Sequence, residues 1–107
     1  MGLWGIFKAN ISSIKTQREI EVAMSRNDIE KVNRLIAKSI SNILKAGLTK
    51  KQLATLENIR DAQGQQLNQS LSTAFQRGWT RSGVPNLSNA MDEVLLEAQK
   101  FITEYQK

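Results

Sequence analysis
Apolar residues recur every three or four positions along most of this chain, the interval that stacks side chains on one face of an α-helix. The cleanest run is Ile29, Val32, Ile36, Ile40 and Ile43, which Leu35 and Leu44 widen to about half of the helix circumference. A stripe that broad needs neighbours on two sides, so the segment reads as the central helix of a bundle. Upstream, Leu3, Phe7, Ile11 and Ile14 form a second stripe with Trp4 at its edge. If that helix ran on unbroken, Arg18 and Glu21 would fall on its buried side. A break near residue 16 is therefore expected, with Thr16-Gln17-Arg18-Glu19 supplying the spacing of a capping box.

Punctuation along the rest of the chain sets the other boundaries. Asn27-Asp28-Ile29-Glu30 offers a cap and places acids at the positive end of a helix dipole. Gly47 fits a helix stop that tolerates positive φ, and Thr49-Lys50-Lys51-Gln52 is another capping box. From there Leu53, Leu56, Arg60, Gln63, Gly64, Leu67, Leu71, Ala74 and Phe75 share one stripe as far as Gly78. The helix is either continuous through Gly64 or bent there. A glycine costs only about 1 kcal/mol relative to alanine, which favours continuity. Gly78 to Pro85, with two glycines and the sole proline, is the main loop. Leu87, Met91, Val94, Ala98, Phe101 and Tyr105, flanked by Leu95 and Ile102, mark the last helix. The expectation is one all-α domain over residues 1–107, a bundle of four to five helices near 3–15, 17–26, 28–46, 50–78 and 88–106. Residues 1–15 form an amphipathic arm or docking helix.

Composition narrows the chemistry. The chain has 107 residues, 40% hydrophobic and 23% charged, enough for one folded core. It holds no cysteine and no histidine, which removes disulfides, the usual zinc ligands and the commonest general base near neutral pH. Two carboxylate pairs at i, i+4 spacing, Glu57 with Asp61 and Glu93 with Glu97, lie at the edge of the apolar stripes or outside them. Metal-binding bundles project such acids inward. No catalytic residue, metal or cofactor is therefore assigned.

Charge supplies the functional clue. The net charge of +5 is uneven: residues 1–51 carry ten basic and four acidic side chains (+6), residues 52–107 five and six (−1). Lys31, Arg34, Lys38 and Lys45 lie within about 60° of one another on the helix opposite the isoleucine stripe, a ridge roughly 21 Å long. With Lys50 and Lys51 they make a candidate anion-facing surface. Arg77, Trp79 and Arg81 could form a stacking and phosphate-binding spot, though a Trp there more often plugs the end of a bundle. Leu3, Trp4, Ile6 and Phe7, near Lys8 and Lys15, fit either a terminal helix docked on the bundle, the favoured reading, or a helix lying on a membrane. Gln63, Gln65, Gln66, Asn68, Gln69 and Gln76 make the third-quarter helix polar but almost uncharged, which suits a face laid against another chain.

Residues 43–54, helix then a glycine-containing turn then a helix with a basic first turn, have the layout of a helix-turn-helix. Gly47-Leu48-Thr49 followed by Leu53-Ala54 resembles the opening of phage-repressor-type DNA-binding domains, and the resemblance implies DNA binding. Beyond it, Glu57 and Asp61 would meet phosphates unfavourably. No apolar run approaches the ~20 residues of a membrane span, and the pattern of a signal peptide is missing, so a cytoplasmic location is expected. The combined expectation is a non-enzymatic binding module that engages another macromolecule through the basic ridge and the amide-rich helix. A protein partner or a second copy comes first, nucleic acid second and a membrane surface third.

Overall fold
The computed structural model describes the backbone of residues 3–106 and the side chains of residues 14–106. Four helices follow one another: α1 (Leu3–Ser25), α2 (Ile29–Gly47), α3 (Lys50–Thr80) and α4 (Leu87–Tyr105). α3 and α4 form the most extensive pairing, and α2 touches each of the other three helices.

α1 runs unbroken through Thr16, so the helix start expected there does not exist. The expectation assumed that the stripe ending at Ile14 is buried. Ile14 is instead 71% exposed, and the buried face is Ile20 and Ala23 with Thr16 and Gln17 half-buried. On that register Arg18 and Glu21 face solvent, and nothing forces a break. α1 ends in a Schellman motif. The Asp28 amide donates to the Ala23 carbonyl and the Asn27 amide to Met24, each at 3.1 Å, with Asn27 at φ 54°. Asp28 then caps α2, its carboxylate accepting from the Lys31 amide at 3.2 Å.

α2 buries Ile36, Ser39, Ile40, Ile43 and Leu44, and the Ser39 hydroxyl donates to the Leu35 carbonyl at 2.8 Å. Ile29 belongs to the same stripe by spacing but is 72% exposed, because it is the first residue of α2, where the core has not begun. Gly47 does not take the positive φ anticipated for it; Leu48 beyond it is extended and donates to Leu44 at 3.0 Å. What a side chain at Gly47 would meet is Leu95, whose Cδ2 lies 2.5 Å from the place of a Cβ.

The Thr49 capping box of α3 is present in both directions: the Gln52 amide donates to Thr49 Oγ1 at 3.1 Å, and the Thr49 amide to Gln52 Oε1 at 2.9 Å. The helix is not continuous. Gln63 takes φ −150°, ψ 48°, which kinks α3 one residue before Gly64. Between buried Ile59 and buried Leu67 no residue is buried, Ala62 and Gln63 being exposed and Arg60 and Gly64 only half-buried, so little holds that turn in register. α3 also outlasts Gly78, which is a packing glycine and not a stop. A Cβ there would sit 2.4 Å from the Asn89 carbonyl oxygen and 2.6 Å from Ala90 Cα, so the two helices touch main chain to main chain. The extra turn buries Trp79, stacked on Phe75 with centroids 5.9 Å apart and planes at 17°. Asn86 caps α4, accepting from the Asn89 amide at 3.0 Å, and Leu87, Ala90, Val94, Ala98 and Ile102 face inward. Tyr105, predicted on that stripe, is half exposed, as the helix runs past the core.

Candidate basic surface
Lys31, Arg34, Lys38 and Lys45 all stand exposed on α2, on the side away from Ile36, Ile40 and Ile43. Among the described residues, no ion pair involves any of them, nor Lys50 or Lys51. Lys45 lies in the last turn of α2, where a cation faces the negative end of the dipole. Lys50 and Lys51 do the opposite: they occupy the first turn of α3, which contains no acid. Each like-signed charge there costs about 0.3–1 kcal/mol at low salt.

The ridge runs between two clefts. Toward α1 is a groove of about 590 Å³, lined by Ile14, Lys15, Arg18, Glu19, Val22 and Lys31. A smaller cleft beside it brings Lys15 and Glu19 next to Leu35 and Lys38. Lys15 and Arg18 thus belong to the same basic surface as Lys31 and Lys38, which sequence reasoning missed by breaking α1 at residue 16. Helical register carried through Thr16 would have placed them there. Toward α3, a groove of about 460 Å³ has Ile36, Ile40 and Leu71 in its lining, with Asn33, Arg60 and Asn68 as polar members. This second groove adjoins the amide-rich half of α3, where Gln65, Gln66, Asn68 and Gln69 are exposed.

The other candidates are arranged differently. Arg77 and Arg81 both reach Glu93, at 3.2 and 3.1 Å, and Arg81 also donates to Asn89 Oδ1 at 2.8 Å. Trp79 between them is 3% exposed, so this end of the bundle is plugged and clamped and presents no ring for stacking. Leu3, Trp4, Ile6 and Phe7 lie outside the described side chains. In the helix-turn-helix-like segment Leu44 and Leu48 are buried, while the exposed side of the following helix carries Glu57, Asn58 and Asp61 after Lys50 and Lys51. Comparison with protein-family models, curated proteins and solved structures gives no match to this chain. No helix among the described residues is long and apolar enough to cross a membrane.

Proposed function
We propose that this chain is a non-catalytic helical binding module, and that the exposed face of α2 docks on an acidic surface of a partner protein. One contrast carries the reading. Arg60, Arg77 and Arg81 are occupied by acids of their own chain, whereas Lys31, Arg34, Lys38, Lys45, Lys50 and Lys51 are exposed and outside every ion pair among the described residues. The grooves on either side of the ridge add apolar surface for side chains of the partner to enter, the combination of charge steering and local burial that specific protein interfaces use. Nucleic acid is less favoured, because Glu57 and Asp61 lie exposed beyond Lys50 and Lys51 on the helix that would enter a groove.

Fluorescence anisotropy with labelled poly-glutamate and labelled duplex DNA, each titrated at rising salt, tests the proposal. Poly-glutamate should bind, and the Lys31→Glu, Arg34→Glu, Lys38→Glu triple variant should lose that binding while keeping its helical circular dichroism. Tighter binding of DNA, with log affinity falling steeply against log salt, would reassign the surface to nucleic acid. Equal poly-glutamate binding by the triple variant would remove α2 from the reading.

A further inference from the structure
We propose that α1 carries a second binding face, one that lies flat on an anionic lipid surface. The exposure of Ile14 carries this, independently of the acidic-partner reading. Ile14 and Ala23 are nine residues apart, about two and a half turns, and so stand on opposite sides of α1. Ala23 is in the core and Ile14 is out of it. α1 is helical from Leu3, and spacings of four, four and three put Leu3, Phe7 and Ile11 in register with Ile14. At Ile14, where that spacing ends, α1 turns an apolar side chain away from the bundle. Beyond Ile14 the same line of α1 carries Arg18 and Glu21, with Val22, 42% exposed, beside it.

Charge identifies the occupant. The first acidic residue of the sequence is Glu19; before it come Lys8, Lys15 and Arg18. A segment with Leu, Ile, Phe and Trp and, as far as Arg18, only cations among its charged residues has the composition of an interfacial helix, a class in which aromatic rings sit among headgroups and lysines reach anionic phosphates. On the folded domain, Lys15, Arg18 and Lys31 line the same groove as Ile14 and Val22, with Glu19 among them, so three cations against one acid and the exposed apolar residues present one surface. An acidic partner helix or a second copy could also cover an apolar face; the acid-free, aromatic-containing start favours lipid.

Co-sedimentation of the whole chain with vesicles tests this. At about 0.15 M salt, the protein should pellet with vesicles in which phosphatidylserine is about a third of the lipid, and remain in the supernatant with phosphatidylcholine alone. Lys15→Ala and Arg18→Ala should each lower the bound-to-free ratio about fivefold, the effect of one cation near an anionic surface. Ile14→Asp should lower it about tenfold or more, since a charge replaces an inserted side chain. At an exposed position that variant should keep its circular dichroism, and Lys45→Ala, about 21 Å along α2 from Lys31 and outside this groove, should weaken poly-glutamate binding while pelleting with phosphatidylserine within about twofold of the unsubstituted chain, so this reading and the acidic-partner reading fail separately. Three results would overturn the proposal: no pelleting with phosphatidylserine, equal pelleting of Ile14→Asp, or a lipid-free dimer in sedimentation equilibrium that Ile14→Asp abolishes. The last would give the face to a second copy.

Discussion

Gln17 and Leu87, seventy residues apart, are joined by a hydrogen bond from the Leu87 amide to Gln17 Oε1 at 3.0 Å. The same side-chain amide donates through Nε2 to the Pro85 carbonyl at 3.1 Å. One glutamine of α1 thus satisfies a first-turn donor of α4 and a carbonyl of the loop before it.

Replacing Gln17 with Ala should lower stability by about 1–2 kcal/mol, the range for losing two hydrogen bonds of which one is partly buried. Gln17→Glu should lose less, because a carboxylate still accepts from Leu87 but cannot donate to Pro85. Urea unfolding gives the ordering, and amide exchange at Ile20 and Ala23 should quicken in both variants.

Two glycines should respond to alanine to very different degrees. Gly78→Ala forces a methyl group against the backbone of Asn89 and Ala90, which cannot yield, and should cost about 3 kcal/mol or more. At Gly47 the obstacle is the end of the Leu95 side chain, and alanine adds helix propensity, so the change should stay within about 1 kcal/mol of the parent. Denaturant midpoints at matched slopes check both.

Asn27 holds a left-handed conformation between α1 and α2. Glycine at this position should be neutral or stabilise by up to about 1 kcal/mol, whereas β-branched valine should cost at least about 1 kcal/mol. Thermal midpoints of Asn27→Gly and Asn27→Val, on either side of the parent, are the expected outcome.

If Lys50 and Lys51 are kept for an acidic partner, then stability and binding should move apart. Lys50→Glu and Lys51→Glu place acids at the positive end of the α3 dipole and should each stabilise by a few tenths to about 1 kcal/mol at low salt. The same variants should weaken poly-glutamate binding. A variant that gains stability and keeps full affinity would show that these lysines take no part in the surface.

Helix existence, the caps at Asp28 and Thr49 and the basic side of α2 could be read from spacing alone, because each depends on residues within one or two turns. What the sequence did not disclose depends on tertiary partners. The Leu3-to-Ile14 stripe looked like a core face; only the burial of Ile20 and Ala23 shows that α1 turns its other side inward. Once that face was misassigned, a false break at Thr16 followed, and Lys15 and Arg18 were left out of the surface they share with Lys31. Gly78 looked like a terminator because glycine is common at helix ends, whereas here it admits a neighbouring backbone. The bend fell on Gln63 and not on Gly64, for which local propensity gives no reason.

The backbone contact of Gly78 with Ala90 also decides which part of the molecule is free to adjust. Where two helices meet with no side chain between them, no rotamer can change to let them slide, so the α3–α4 hairpin behaves as a stiff post. Any give the protein needs when something seats against it falls on α1, which among the described residues is held by Ile20 and Ala23 in the core, the Gln17 side-chain amide and a short turn at Asn27 and Asp28. The helix bearing the groove is therefore the one best placed to shift and let it widen.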